Sequence, residues 1–476
     1  MKKLFKKIHN VSIYILSFTA SFIGIALNFY LARTLGAEEF GKIQYLVALA
    51  TTISQILLFG LNSFLIREAK NIEQKGELAN KCFSLFLMVI IFFIPIVFFV
   101  LSNYLTYTST STVLAVSVLL VSILMGFNAI VTSYFHGSGK YHLTIIFENL
   151  IPKALMLGLA IVFTVLGKTG IFGDNYLIFY IVIYSLVAIP FCIKLFKKIN
   201  FNFTRAEIAS IFFFFGVTIT YSLGNNLTKV IQGGLYKNNV ALAIISLSIS
   251  FISFVNVFTS VLNNMVKPIF AKLKRENDLD GILDLYRFDT RMNSYVSIPL
   301  YLFFIFNAPK FLGLFGDDYL AYTNILTIIA CANLVNELTG PNGTMLAMTG
   351  KEKWELVNGF VYFGVYIAGV FAFSFDKVYG LCYALLVAQV VVNVLKYIEV
   401  YMIYKKAPLN LKTILTLLIV VVVNFGAIFA LRYINVAIWL WMIIGVSTGI
   451  ALVLLNVFVI SLYRKDEFKT FLSLRV

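Results

Sequence analysis

Between residues 11 and 463 the sequence can be laid out as fourteen apolar stretches, each long enough to cross a bilayer as an α-helix. Inside a bilayer every backbone N–H and C=O must find its partner within the protein, so stretches of this kind can only be helices. They run at about 11–33, 41–66, 81–103, 110–135, 142–166, 175–196, 206–232, 239–266, 288–307, 318–339, 353–375, 378–403, 412–432 and 436–463. The chain is 60% hydrophobic and 13% charged, where soluble domains carry about 25% charged residues. The expected fold is an all-α polytopic membrane protein. MKKLFKK ahead of Val11–Leu31 could mimic a secretory leader. Its apolar part exceeds the roughly 7–15 residues of a leader's core, so it is expected to stay as the first span.

The formal net charge of +16 would suggest nucleic acid in a soluble protein. Here the basic residues sit mostly between spans. One face collects the leader lysines, Arg67, Lys140, Lys198, Lys267, Arg275, Lys351, Lys405 and their neighbours, 28 of the 38 lysines and arginines in all. The positive-inside rule makes that face cytoplasmic, with both termini on it. The outer connections are short, and no extramembrane domain is expected. The segment 267–287 alternates charged with apolar residues and predicts a cytoplasmic, interfacial amphipathic helix. Cys82, Cys192, Cys331 and Cys382 lack the spacing of a disulfide or zinc framework, and His9, His136 and His142 are dispersed. No metal or cofactor is implied.

The chain repeats itself. EEFGKIQYLVAL (38–49) aligns with NNVALAIISLSI (238–249), and YFHGSGKYH (134–142) with MLAMTGKEK (345–353). Each copy holds six spans, so both insert the same way round, related by a pseudo-two-fold axis along the membrane normal. The expected organisation is an N-terminal lobe 1–197, a C-terminal lobe 198–406, and two further spans with a cytoplasmic tail at 407–476.

Polar stripes follow the repeat. The seventh span carries Thr218, Ser222, Asn225, Lys229 and Gln232 on one helical face. The first carries Ser17, Ser21, Gly24 and Asn28 with the same steps, and Arg33 follows. The second has Gln44, Thr51, Gln55 and Asn62; the eighth has Ser246, Ser250, Ser253, Asn256, Ser260 and Asn263. Singly, such residues make interhelical hydrogen bonds worth about 0.6–2 kcal/mol. Four stripes on two equivalent hairpins point instead to a shared water-accessible cavity. A lysine at bilayer depth costs about 2.5–3.5 kcal/mol on insertion scales, so Lys229 either faces that cavity or snorkels to the interface.

NFYLARTLGAEEFGK (28–42), GLNSFLIREA (60–69), LFGDDYL (314–320) and GPNGTMLAMTGKEK (340–353) resemble signature stretches of bacterial polysaccharide flippases. These belong to the multidrug/oligosaccharidyl-lipid/polysaccharide exporter superfamily. The resemblance implies two lobes that alternate between inward-open and outward-open states, with spans 1, 2, 7 and 8 lining the cavity. It implies a cargo of oligosaccharide on undecaprenyl pyrophosphate, moved to the outer leaflet of the bacterial inner membrane for surface polysaccharide such as O-antigen. Possible partners are a polysaccharide polymerase and chain-length proteins, with no nucleic acid. The family often has an acidic–basic pair in the seventh span, where this chain has Thr228-Lys229.

That cargo suits the residues. Basic side chains attract a pyrophosphate, and the candidates are Arg33, Lys153, Lys229, Arg67, Lys267 and Arg291. Asn28, Gln55, Asn225 and Asn256 can hydrogen-bond sugar hydroxyls. Glu148 and Glu337 are candidates for ion coupling. Glu399 stands three residues from Lys396, and an intrahelical pair is expected. Two other readings stand beside flipping: extrusion of drugs or other lipid-linked precursors, and a membrane-embedded polysaccharide polymerase. The polymerase would need catalytic groups on a substantial outer loop.

Overall fold

Glycines and caps set where the helices begin and break. The computed structural model describes the backbone at residues 2–68, 75–107 and 112–463. Side chains are described within those ranges except at 2–14, 75, 103–107, 112, 221–225, 261, 264, 268, 352, 457 and 459–463. Contacts divide the chain into two compact units, Met1–Ser246 and Leu247–Val476. The lobe boundary expected from the sequence is 197/198; the contact boundary falls later, because the helix after the linker packs on the first two.

Unit 1 holds α1 (Lys2–Leu58), α2 (Leu61–Glu68), α3 (Lys75–Tyr107), α4 (Thr112–Gly137), α5 (Tyr141–Ile145), α6 (Ile151–Val165), α7 (Thr169–Asp174), α8 (Tyr176–Leu195), α9 (Arg205–Gly234) and the start of α10 (Asn239–Arg275). α1 is two helices joined at Gly36, whose φ of 79° breaks the helical path. A second break at Phe59 and Gly60 separates α2 from α1. Between α5 and α6 the chain makes one π-helical turn, Ile146–Leu150. The core of unit 1 gathers Leu57, Leu61, Phe64, Phe86, Val118 and Ile130.

The linker after α8 is strapped to α3. The Lys197 N–H donates to Asn80 Oδ1 at 3.1 Å, and the Asn200 N–H donates to Ser84 Oγ at 2.8 Å. Phe196 stacks on Phe83 with ring centres 4.1 Å apart. Thr204 and Glu207 then form a reciprocal capping box that starts α9, and Lys81 Nζ lies 3.4 Å from Glu207.

Unit 2 holds the rest of α10, then α11 (Leu279–Leu312), α12 (Asn324–Leu338), α13 (Asn342–Met348), α14 (Glu352–Ala372), α15 (Gly380–Tyr404), α16 (Leu411–Ala430) and α17 (Ile438–Tyr463). Here one expectation fails. The segment 267–287 is not an interfacial helix: α10 runs on to Arg275, a short turn follows, and α11 starts at Leu279 under an Asp278 cap. The charged residues that suggested amphipathicity extend two long helices instead. α17 and the turn that leads into it are tied to α11 by polar contacts. Asn456 Nδ2 donates to the Tyr295 carbonyl at 3.0 Å, and Lys310 Nζ donates to that of Ile434 at 2.8 Å.

Among the described residues eleven helices are long and apolar enough to cross a membrane. The first of these, Ile15–Leu58, contains both halves of α1, and α12 is a shorter apolar helix. The chain is a multi-pass membrane protein. Its burial is inverted accordingly: Phe92 and Phe99 of α3 and Ile419 and Val422 of α16 are exposed, whereas Asn358, Asp289 and Ser294 are buried.

Candidate cargo-binding site

In unit 1 a basic side chain is delivered to the polar face of α1. Lys153 stands one residue after Pro152, in the first turn of α6. The π-helical turn before it inserts a wider i→i+5 loop, a device common at functional positions. It presents Glu148 and Asn149 just ahead of the lysine. Lys153 Nζ donates to Asn149 Oδ1 at 3.0 Å. Its stem occupies a notch on α1: a Cβ added to Gly24 would lie 3.1 Å from Lys153 Cδ and 3.2 Å from Nζ. The ammonium therefore reaches the face that bears Ser17, Ser21 and Asn28. Glu148 is exposed and close enough to act on Lys153 electrostatically.

Asn28 is linked across the Gly36 break, since Gln44 Nε2 donates to its Oδ1 at 3.3 Å. The polar faces of the two halves of α1 are thus joined. Gln55 lies half-buried further along the second half.

α9 packs against that second half. Gly233 lies against the Tyr45 ring, and Gly41 lies so close to the Asn239 carbonyl that no Cβ would fit between them. Phe59 stacks on Phe215 with centroids 4.1 Å apart. Lys229 sits one turn before Gly233, half-buried, and forms no ion pair among the described residues. Arg33 is exposed near the Gly36 break. Arg67 is exposed too, with Nε 3.5 Å from Glu68 and its guanidinium 5.6 Å from the Phe214 ring centre. The Asn225 side chain lies outside the described residues.

In unit 2 two of the named residues are already engaged. Arg291 is buried, and its Nη1 donates to Thr413 Oγ1 at 2.7 Å, tying α11 to α16. Asn256 accepts from the Tyr301 hydroxyl at 2.9 Å. Lys267 is half-buried on α10. Glu337 is buried and accepts from Thr259 Oγ1 at 3.1 Å. The expected Lys396–Glu399 pair is replaced by contacts between helices. Lys396 Nζ lies 2.7 Å from Glu355 Oε1 on α14, and Glu399 accepts from Asn358 Nδ2 at 2.7 Å.

Residues 30–324 match the family described as polysaccharide biosynthesis protein, more than half of the chain. The chain belongs to this family. The teichuronic acid biosynthesis protein TuaB of Bacillus subtilis (strain 168) is 29% identical over 133 residues, 27% of this chain. The match spans about a quarter (26%) of that relative's length. Among solved structures, the lipid II flippase MurJ in an inward closed conformation aligns with a TM-score of 0.71 at 15% identity. That alignment covers 96% of this chain and 99% of MurJ. An inward-facing multidrug resistance MATE family transporter of the MOP superfamily aligns at 0.59 and 13% identity, covering 84% and 98%. These likenesses show a fold shared with MurJ and the MATE transporter, and the polysaccharide family that the sequence motifs resemble is borne out by the family match.

Sequence reasoning passed over residues that this family member buries in unit 2. Asp289, Asn293, Ser297 and Tyr301 recur every four residues along α11 and share a face. The period is readable in the sequence, and the span laid out at 288–307 places Asp289 in its first turn. The Glu355–Lys396 pair spans 41 residues, and no local spacing could reveal it.

Proposed function

We propose that this chain is a flippase for lipid-linked polysaccharide precursors. It carries an undecaprenyl-pyrophosphate-linked oligosaccharide from the cytoplasmic to the outer leaflet of the bacterial cytoplasmic membrane, with both termini cytoplasmic. The observation that carries the reading is Lys153, held by Asn149 and the Gly24 notch so that an ammonium meets the polar face of α1. An ammonium kept inside a helical bundle draws a phosphate group, and the amides and hydroxyls of that face suit sugar hydroxyls. Lys229 and Arg33 supply further charge for the pyrophosphate, and Asn28 and Gln55 hold the glycan. Transport proceeds by alternating access of two six-helix lobes, and no covalent bond is made or broken. The polysaccharide family, TuaB and the MurJ-like fold support a lipid-linked glycan over a drug as cargo.

The test is reconstitution of the purified chain in liposomes that contain a fluorescent lipid-linked oligosaccharide. Cargo should become accessible on the opposite leaflet with its mass unchanged. Lys153→Ala should slow this at least tenfold, whereas Lys153→Arg should retain most of it. No translocation of any lipid-linked glycan, or a product of new glycan length, would remove the proposal.

A further inference from the structure

The turn that delivers Lys153 is held by a residue of another helix. In the π-helical stretch Ile146–Leu150 the Ile151 N–H donates to the Ile146 carbonyl, five residues back. In an α-helix that N–H would serve Phe147 instead. A further π-helical bond to Phe147 would need an N–H at position 152, and Pro152 has none. The Phe147 carbonyl is therefore left without a backbone donor, which is costly inside a membrane helix. Asn128 of α4 meets it. The Asn128 side chain is buried, and its Nδ2 donates to the Phe147 carbonyl at 3.3 Å. Asn128 Oδ1 is buried too and finds no donor among the described residues. The amide is thus placed to donate and gains nothing as an acceptor.

The chain is anchored on both sides of this turn. Before it, Thr144 Oγ1 of α5 donates to the Thr132 carbonyl of α4 at 3.0 Å. Within it, the Phe147 ring meets Phe191 of α8 edge-on, with centroids 4.5 Å apart. After it, Pro152 opens α6 and Lys153 fills the notch at Gly24, with Nζ bonded to Asn149. Without Asn128, the one backbone donor left for Phe147 is the Ile151 N–H, and taking it closes the turn to α-helical register. A helix turns by about 100° per residue. Because the part before the turn is tied to α4 and α8, the change of register would swing the start of α6 by roughly that angle. Lys153 would then leave the Gly24 notch. Pro152 opposes the same change, since its ring crowds the carbonyl four residues back, that of Glu148.

We propose that Asn128 is a positioning residue for Lys153: its amide closes the carbonyl that the π-helical turn and Pro152 leave open, and so fixes the register that sets Lys153 in the Gly24 notch. Asn128 acts through the lysine and not on the cargo. Its effect on transport rests on the reading of Lys153 as a cargo-binding residue, whereas its effect on where the lysine lies does not.

Two measurements on the full chain test this. In the first, protein purified in detergent is treated with acetic anhydride, and acetylation of Lys153 is followed by peptide mass spectrometry against that of the exposed Lys405. Asn128→Leu, close in size but without a donor, should speed acetylation of Lys153 at least threefold and leave Lys405 unchanged. If Asn128→Leu does not fold, Asn128→Ala serves in its place with the same expectation. The second measurement is glycan translocation in liposomes. Asn128→Leu should slow it at least fivefold in the wild-type background and by less than twofold in a Lys153→Ala background, because residues that act through one another are not additive. Unchanged acetylation of Lys153 in the folded variant would overturn the proposal. So would faster acetylation of Lys153 and Lys405 alike, which would mean general loosening, or full additivity of the two substitutions, which would mean that Asn128 only packs. If the wild-type chain moves no lipid-linked glycan, the flippase reading fails, and the acetylation measurement still decides whether Asn128 places the lysine.

Discussion

At the scale of single residues, Lys229 and Lys153 differ in one respect that matters for testing. Lys153 has an amide partner on its own helix and a carboxylate in electrostatic reach, whereas Lys229 forms no ion pair among the described residues. A half-buried lysine with no ion pair among the described residues is open to a bound anion or to water. If it serves the cargo, its charge matters and its shape does not. Two unit charges about 4 Å apart interact by roughly 4 kcal/mol at an effective dielectric of 20. Lys229→Arg should therefore keep surface glycan export, Lys229→Ala should lose most of it at unchanged membrane abundance, and Lys229→Glu should be worse than alanine. Export at wild-type level from the alanine variant would mean that the lysine snorkels. Gly41 is the opposite kind of residue, needed for its missing side chain. The Asn239 carbonyl fills the place of a Cβ, so Gly41→Val must push the start of α10 away from α1. Overpacking of this kind costs about 1–3 kcal/mol, and the variant should show a lower melting temperature in detergent.

At the scale of helices, the sequence was legible where the signal was local and silent where it was not. Apolar runs placed the spans, and glycines with turn residues marked most of the ends. Charged residues between 267 and 287 suggest the end of a span, whereas in the structure they extend α10 and α11 beyond their apolar stretches. Lys153 and Asn149 were legible at one-turn spacing, but the Gly24 notch that fixes the lysine belongs to another helix. The α14–α15 contact was illegible for the same reason. There Glu355 meets Lys396, and Asn358 meets Glu399 one turn away, so two polar contacts set the register of two apolar helices. Removing one partner of such a pair leaves a charge in a poor solvent, at a cost on the order of 3 kcal/mol. Lys396→Met should lower the melting temperature clearly. Adding Glu355→Leu to it should recover most of the loss, because the uncompensated carboxylate is then gone too. A double variant less stable than the single one would show that Glu355 is held by something other than the lysine.

At the scale of the whole chain, family and fold say what kind of protein this is, and the distribution of charge says how it should lie. The sequence sets 28 of the 38 basic residues in or beside one set of connections, and the positive-inside rule predicts that this set faces the cytoplasm. The prediction concerns sidedness and needs a background without the native thiols. Cys82 and Cys382 are buried, while Cys192 and Cys331 are partly exposed and would give background labelling, so all four are replaced. Single cysteines are then introduced at Lys198 and Lys405, in the basic connections, and at Glu39 and Asp376, in the acidic ones. Lys198 precedes α9, and Lys405 ends α15 in a left-handed conformation; both are exposed in the fold. Glu39 lies just past the Gly36 break, and Asp376 accepts from the Val378 and Tyr379 N–H groups in the turn before α15. An impermeant thiol reagent should label positions 39 and 376 in intact spheroplasts, and 198 and 405 only in inside-out vesicles. Because α15 alone separates 376 from 405, that pair is the strictest control. Labelling of both from the same side would mean that α15 does not cross the membrane, and the count of spans in the second half would have to be redrawn.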